Sequence, residues 1–171
     1  MFNQRRSGSN AAFSANEPLS KRALKAKAVG LLALREYTRA ELLKKLSPLA
    51  QTPETVLAVI DELAKDGWQS DERFAAAFSH QKSFKQGAAL VAQGMRQKGV
   101  SDALIAQTLQ NLSATEQTRA HLVWEKKFSK EGRPNDARSW ARQARFLASR
   151  GFGSGVIRQV LGSSGSGEED Q

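Results

Sequence analysis

Cysteine is absent from the 171-residue sequence. Its absence excludes disulfide bonds, thiolate zinc sites and a cysteine nucleophile. Histidine is nearly as scarce, because only His80 and His121 occur, and neither has a second potential ligand at metal-binding spacing. Phosphate-binding loops, dinucleotide-binding glycine motifs and nucleophile elbows are also missing. We therefore predict no metal site, no cofactor and no enzymatic activity.

Long hydrophobic segments are missing as well. No stretch approaches the roughly 18 apolar residues that a membrane span requires. Residues 1–16 contain two arginines but no apolar run after them, so we do not expect a signal peptide. Together with the absence of cysteine, which fits a reducing compartment, these features predict a cytoplasmic protein without membrane contact.

Charge of one sign predominates in the sequence. Lysine and arginine number 26 against 17 acidic residues, which gives a formal net charge of +9. Basic residues concentrate in segments 21–50 and 81–100, whereas segment 54–72 is acidic. A surplus segregated in this way favours a polyanionic partner such as nucleic acid, an acidic protein groove or an anionic membrane.

Helix signals follow one another over residues 20–161, and no segment shows the period-two alternation of a strand. Thr38 and Glu41 have capping-box spacing, and so do Ser113 and Glu116. We predict that both pairs begin helices. Residues 134–135 are predicted to start a later helix.

Aromatic and small apolar side chains indicate which faces of these helices are buried. In the helix that follows Ser70, we expect Phe74, Ala77 and Phe78 to point inward. The three tryptophans are expected in the core rather than stacked on bases, because each lies in an apolar helical pattern or at a corner. They are Trp68, Trp124 and Trp140.

A short segment recurs at a shift of 52 residues. Residues 98–101 align with 150–153, and the apolar positions Met95 and Leu147 align before them. Each copy predicts a helix end at a glycine, an apolar residue that fills the corner, and a short amphipathic helix. A looser copy lies near the N-terminus. The predicted organisation is a disordered N-terminal tail (1–19), three-helix repeats at 20–68, 69–112 and 113–162, and a flexible acidic tail (163–171).

Three segments together resemble the RecX family. They are residues 35–46, residues 61–75 continuing to 96–101, and residues 145–161. The resemblance implies an all-α fold of three tandem three-helix repeats forming a curved, elongated array. It also implies a partner, the RecA recombinase filament on DNA, and an inhibitory effect on RecA ATPase, strand exchange and SOS-related activity. The sequence departs from the family at Leu90 and Gly94, where a basic and an acidic residue are usual.

Candidate contacts with RecA or DNA come from the basic segments. Arg138, Arg142 and Arg145 are spaced four and three residues apart, so they share one face of a helix. Such an arginine face suits phosphate or carboxylate recognition, although a solvated helix face has the same pattern. The full set of candidates is Arg35, Arg39, Lys44, Lys45, Lys82, Lys85, Arg96, Lys98, Arg138, Arg142, Arg145 and Arg150.

Two other functions remain open at this point. Short helices joined at tight glycine corners also occur in helix-turn-helix transcriptional regulators, which bind a specific DNA duplex. A helical-repeat RNA-binding protein would bind single strands without RecA. The family resemblance favours a monomeric regulator with weak, sequence-indifferent DNA binding.

Overall fold

The computed structural model describes residues 17–162. Within this range there is no β-strand, only an isolated bridge between Leu19 and Ala50. The α-helices of the described range are α1 (Lys21–Leu32), α2 (Arg39–Leu46), α3 (Pro53–Lys65), α4 (Asp71–Ser83), α5 (Ala88–Gln97), α6 (Asp102–Ser113), α7 (Glu116–Phe128), α8 (Ala137–Ser149) and α9 (Ser154–Leu161). The prediction of an all-α repeat array is confirmed.

The predicted tails fall almost entirely outside the described residues, which exclude 1–16 and 163–171. At the inner end of the N-terminal tail, the Leu19 N–H donates to the Leu49 carbonyl at 2.7 Å. Leu19 also packs against the core that α1, α2 and α3 form. The repeat boundaries drawn from the sequence stay a prediction, and the one after residue 112 falls in the last turn of α6.

Side-chain caps begin most helices of the described range, and one of them is the capping box predicted at Thr38. The Thr38 hydroxyl accepts from the Glu41 N–H, and the Glu41 carboxylate accepts from the Thr38 N–H, so the capping box is complete. A single serine or threonine hydroxyl caps the helices that follow Ser20, Thr52, Ser70 and Ser101. Each cap satisfies a backbone donor that the first helical turn leaves unpaired.

The second predicted capping box is wrong. Ser113 is the last residue of α6, and α7 begins without a side-chain cap. The Glu116 carboxylate instead accepts from the Ala88 N–H at 2.9 Å, at the start of α5. The residue before Ala88 is Gly87, which has no side chain to cap this helix. A tertiary contact therefore supplies the cap that local sequence cannot.

The later helix also begins two residues beyond the predicted start. Its N-cap is Asp136, whose carboxylate accepts from the Ser139 N–H at 2.6 Å.

Each successive group of three helices has its own core, and we call these groups unit 1 (α1–α3), unit 2 (α4–α6) and unit 3 (α7–α9). Leu24, Leu42, Leu46, Ile60 and Leu63 are buried in unit 1. Comparable clusters lie within unit 2 and within unit 3. The units therefore follow the tandem order expected of a helical-repeat protein.

Two predictions about burial are wrong. Ala77 is exposed, and Ala75 is buried in its place. Trp68 is 49% exposed, because it follows the corner after α3 rather than entering a core. Trp124 is buried and donates from Nε1 to Gln143 Oε1 at 2.6 Å, whereas Trp140 is half-buried.

The repeated glycine corners are confirmed. Gly99 and Gly151 have φ of +79° and +85°, a backbone conformation that favours glycine. The Val100 N–H donates to the Met95 carbonyl at 3.1 Å, and the Phe152 N–H donates to the Leu147 carbonyl at 3.2 Å. Val100 and Phe152 are both buried at their corners, as predicted.

Each of these corners docks on the preceding unit. The Thr38 hydroxyl, at the start of α2, donates to the Lys98 carbonyl at 2.6 Å. The Gly87 N–H, at the start of α5, donates to the Arg150 carbonyl at 2.8 Å. The two joints are equivalent in position, because each connects the start of a unit's second helix to the next unit's corner. This repetition aligns the three units in one array.

The two departures from the family sequence have packing roles. A Cβ at Gly94 would lie 2.7 Å from the Phe78 ring, so glycine makes room for that ring. Leu90 lies against Gly151 at the joint between units 2 and 3.

Candidate functional site

Two candidate arginines of unit 1 are engaged within the protein. Arg35 forms a two-pronged pair with Glu41 at 3.0 and 3.2 Å, and its guanidinium lies 3.5 Å from the centre of the Tyr37 ring. Arg39 donates to Asp61 at 2.6 Å. These contacts orient both guanidinium groups on the fold, and they reduce the charge available to an external anion.

The Glu41 carboxylate accepts hydrogen bonds from cationic side chains of two units. Lys98 of unit 2 donates to Glu41 Oε1 at 2.8 Å, and Arg35 of unit 1 holds the same carboxylate. Burial by itself raises the pKa of the Glu41 carboxyl, but the hydrogen bonds from Arg35 and Lys98 outweigh it. The pKa of Glu41 therefore lies below its ordinary value. This cluster reinforces the joint between units 1 and 2.

The remaining paired candidates lie in units 2 and 3. Arg96 donates to Asp102 at 2.8 Å across the corner of unit 2. Arg142 pairs with Glu131, and its guanidinium lies 5.7 Å from the centre of the Phe128 ring.

Seven candidates have no carboxylate within 4 Å among residues 17–162. They lie on α2, at the C-terminal end of α4, and along α8 to its corner. These residues are Lys44, Lys45, Lys82, Lys85, Arg138, Arg145 and Arg150. Their charge is available to a partner on the surface that the structure describes.

The arginine face of α8 is split by its neighbours. Arg142 is turned toward Glu131 and Phe128, whereas Arg145 and Arg158 line a shallow hollow between α8 and α9. The opposite face holds Leu147 and Gln143, both buried. Only Arg138 and Arg145 of the three arginines are therefore open to an anion.

An apolar and basic groove lies where units 2 and 3 meet, and we call it the junction groove. It has a volume of about 570 Å³. Its apolar lining consists of Phe84, Leu122, Val123 and Phe146. Its charged lining consists of Lys85, Lys126, Lys127 and Arg150, with no acidic residue.

Sequence reasoning identified only Lys85 and Arg150 in this groove. A signal for the others was present, because Leu122 and Lys126 are four residues apart and thus share a face of α7. The groove could not be assembled from that signal, since its walls come from the segment after α4, from α7 and from the C-terminal end of α8.

Arg119 is a positioning residue that sequence reasoning also missed. Its guanidinium donates to the carbonyls of Ser83 at 3.1 Å, Gln86 at 3.2 Å and Leu112 at 3.2 Å. Burial lowers the pKa of this guanidinium, and nearby Glu116 partly opposes the shift. Arg119 thereby fixes the C-terminal ends of α4 and α6 against α7.

The described residues contain neither a metal-binding cluster nor a membrane-spanning helix. No group of three histidine or acidic side chains there could hold a metal ion. None of the described helices has both the length and the apolar character needed to cross a membrane.

Comparison with family models and with curated relatives gives the same family. Residues 70–109 match the model of the second RecX three-helix domain, and residues 114–161 match that of the third. A regulatory protein RecX from Chromobacterium violaceum is 45% identical over 149 residues, which cover 87% of this chain and 94% of that protein. A second, from Leptothrix cholodnii, is 42% identical over 81% of this chain and 87% of its own length.

Solved structures share the fold. The crystal structure of RecX from Lactobacillus salivarius superposes with a TM-score of 0.75 at 16% identity, covering 82% of this chain and 94% of that one. Another RecX crystal structure gives a TM-score of 0.71 at 20% identity, over 82% and 72% of the two chains.

Proposed function

Because the chain belongs to the RecX family of regulatory proteins, we propose that it binds the RecA–DNA filament and inhibits the RecA recombinase. In this proposal the protein lowers RecA's DNA-dependent ATPase, its strand exchange and its SOS-related activity. The protein acts in the cytoplasm as a monomer and catalyses no reaction itself.

The observation that carries this proposal is the distribution of unpaired cations. The seven candidates without a carboxylate partner in the described range occur in all three units, on α2, α4 and α8. An extended polyanionic partner can contact several units at once, and each contact adds to binding. Phosphate contacts of this kind orient a protein on DNA without reading its sequence. We therefore expect weak, sequence-indifferent DNA binding and stronger attachment to the RecA–DNA complex.

The proposal is tested by titrating this protein into cognate RecA on single-stranded DNA at substoichiometric amounts. ATP hydrolysis and strand exchange are followed in parallel. We expect inhibition of both that increases with dose. An active cognate RecA that is unaffected at equimolar protein would contradict the proposal.

A duplex-binding transcriptional regulator is the alternative that such a negative result would favour. That function requires tight binding to one DNA sequence, with a large preference over unrelated duplexes. Selection of duplex sites from a random pool distinguishes the two functions, because the proposed RecA regulator enriches no sequence.

A further inference from the structure

The junction groove exposes apolar surface that the fold does not need to expose. Phe84 is 62% exposed and Leu122 is 58% exposed, and both line the same groove with the half-buried Val123 and Phe146. Apolar surface in water is unfavourable by about 25 cal/mol per Å². A contiguous apolar surface edged by charge is typical of a site that another molecule covers.

Hydrogen bonds hold the backbone segment that carries Phe84 in the position where its side chain is exposed. Arg119 binds the carbonyls of Ser83 and Gln86, which flank the segment containing Phe84. On the far side, the Gly87 N–H donates to the Arg150 carbonyl at 2.8 Å. Both walls of the groove are thus fixed before a ligand arrives, which reduces the entropy lost on binding.

The positive charge of the groove favours a negatively charged ligand. Lys85, Lys126, Lys127 and Arg150 line it, and none of the four pairs with a carboxylate within the part of the chain that the structure describes. Acidic ligands are attracted to such a site, and basic ones are repelled.

The apolar lining favours a protein segment over a nucleic acid. Single-stranded nucleic acids bind on successive exposed aromatic rings. Here the Phe146 and Phe128 rings already form a T-shaped pair with 5.3 Å between their centres, and Arg150 lies 5.2 Å from the Phe146 ring centre. Leu122 and Val123 offer no planar surface, so Phe84 alone could stack on a base. Aliphatic side chains fill such a lining better.

The chain's own acidic segment does not match this lining. Residues 163–171 contain Glu168, Glu169 and Asp170 but no apolar side chain. They could satisfy the cations of the groove and would leave Phe84 and Leu122 uncovered.

We infer that the junction groove docks an acidic segment of a partner protein, with apolar side chains of that segment packed on Phe84 and Leu122. The inference rests on the proposed function only for the identity of the protein that carries the segment. It assigns Lys85 and Arg150 to a protein ligand, whereas Lys44, Lys45, Lys82, Arg138 and Arg145 remain available for phosphate.

The test uses the full chain and fluorescence polarisation. The probe is a labelled glutamate-rich peptide of about fifteen residues with leucine and phenylalanine at helical spacing. A second peptide replaces those apolar residues by serine, and a labelled oligothymidylate represents nucleic acid. We expect the apolar-anchored peptide to bind at least about tenfold more tightly than the serine peptide, because only the former covers the apolar lining.

Substitutions in the junction groove test whether the peptide binds there. Leu122→Ser and the double change Lys126→Glu with Lys127→Glu should each weaken peptide binding about tenfold. Leu34→Ser is the matched control for the leucine, since Leu34 is 81% exposed elsewhere. Lys27→Glu with Lys65→Glu is the matched control for charge, and both controls should bind as the parent does. Unchanged binding by Leu122→Ser, equal binding of both peptides, or oligothymidylate binding that depends on Leu122 would overturn the inference.

The same preparations separate this inference from the proposed function. If the parent inhibits RecA but does not bind the apolar-anchored peptide, the groove inference is wrong and the proposed function stands. If the peptide binds as expected but RecA is unaffected, the groove inference stands and the proposed function is wrong.

Discussion

Glu41 shows how one side chain can serve two purposes. It completes the capping box of α2 with Thr38, and it also receives Arg35 and Lys98 from two different units. The first role is visible in the sequence spacing. The second role depends on Lys98, which lies 57 residues away. The residue that completes a helix start thus also forms part of an interface between units.

We predict that Glu41→Gln lowers the free energy of unfolding at pH 7 by about 1 to 2 kcal/mol. The carboxylate accepts three charge-assisted hydrogen bonds from Arg35 and Lys98, and a neutral amide weakens or loses them. The folded pKa of Glu41 lies below the ordinary value of 4.5. Its stabilisation is therefore present above about pH 4.5 and is lost as pH falls through the folded pKa. Urea unfolding between pH 7 and pH 3 measures both effects.

The control for Glu41 is Glu125→Gln, since Glu125 is exposed and has no side-chain hydrogen bond in the described range. The control should follow the parent's pH dependence, whereas Glu41→Gln should lose less stability on acidification. Identical pH dependence in the parent and Glu41→Gln would contradict this account.

Arg119→Ala tests the other side chain with an interface role. The change leaves the Ser83 and Gln86 carbonyls without their donor and removes one of the donors to the Leu112 carbonyl. We expect this loss to cost about 2 to 3 kcal/mol of unfolding free energy. Arg133→Ala removes an exposed guanidinium that has no partner within residues 17–162, so it should change stability by less than about 0.5 kcal/mol. Guanidinium chloride unfolding compares them, and equal stabilities would refute the role given to Arg119.

Glycines at the helix ends determine how closely neighbouring helices and units approach. Gly67, Gly99 and Gly151 each follow the end of a helix, and each has a positive φ. Their surroundings differ. Gly67 has open space around its Cα, whereas Gly99 lies against Ala40 of the preceding unit. Gly87 has an ordinary φ of −77° and is required only because the Gly151 carbonyl lies against it. Conformational freedom and close approach are therefore separate reasons for glycine in this chain.

Three alanine substitutions separate those reasons. Gly67→Ala introduces only an unfavourable φ, so we expect a loss of about 1 kcal/mol in unfolding free energy. Gly87→Ala introduces only a collision with backbone of unit 3, which we expect to cost about 2 to 3 kcal/mol. Gly99→Ala combines both effects and should be the most destabilised. Thermal unfolding ranks the stabilities of the three variants. If Gly87→Ala lost less stability than Gly67→Ala, the close contact between Gly87 and Gly151 would not require glycine, which would contradict this account.

Across the described residues, cations without a carboxylate partner occur on all three units, and the junction groove lies between two of them. Arg138 and Arg145 are free of carboxylates in the described range, whereas Arg142 is held by Glu131. Under the proposed function, the first two therefore contribute more to filament binding than the third. The paired cations mainly hold the array together.

We predict that Arg138→Glu with Arg145→Glu raises the concentration needed for half-inhibition of RecA about tenfold, by replacing phosphate-binding cations with anions. Lys27→Glu with Lys65→Glu changes net charge by the same amount outside the candidate residues and should inhibit as the parent does. RecA ATPase titrations compare the variants. Equal loss in both would attribute inhibition to net charge rather than to this face of α8.

Local sequence determined the class of fold, most helix starts and the repeated corners. Capping residues, glycines and apolar spacing act within about one or two helical turns, so Thr38, Gly99 and Val100 could be placed without a structure. The ordered segments that resemble RecX also identified the family, which the comparisons confirmed. Sequence patterns predict burial less well at the corners between helices, and the prediction that Trp68 lies in the core was wrong for that reason.

Only the tertiary structure decided which charges are available and where surfaces meet. Arg35 and Lys98 appeared equivalent to Lys44 and Arg145 in the sequence, yet the first two share Glu41 and the others have no carboxylate partner in the described range. Glu116 caps a helix that it does not belong to, and the walls of the junction groove come from the segment after α4, from α7 and from the end of α8. Contacts between distant residues depend on how units dock, and that docking is set by close approaches such as Gly87 on Gly151, which no local sequence pattern specifies.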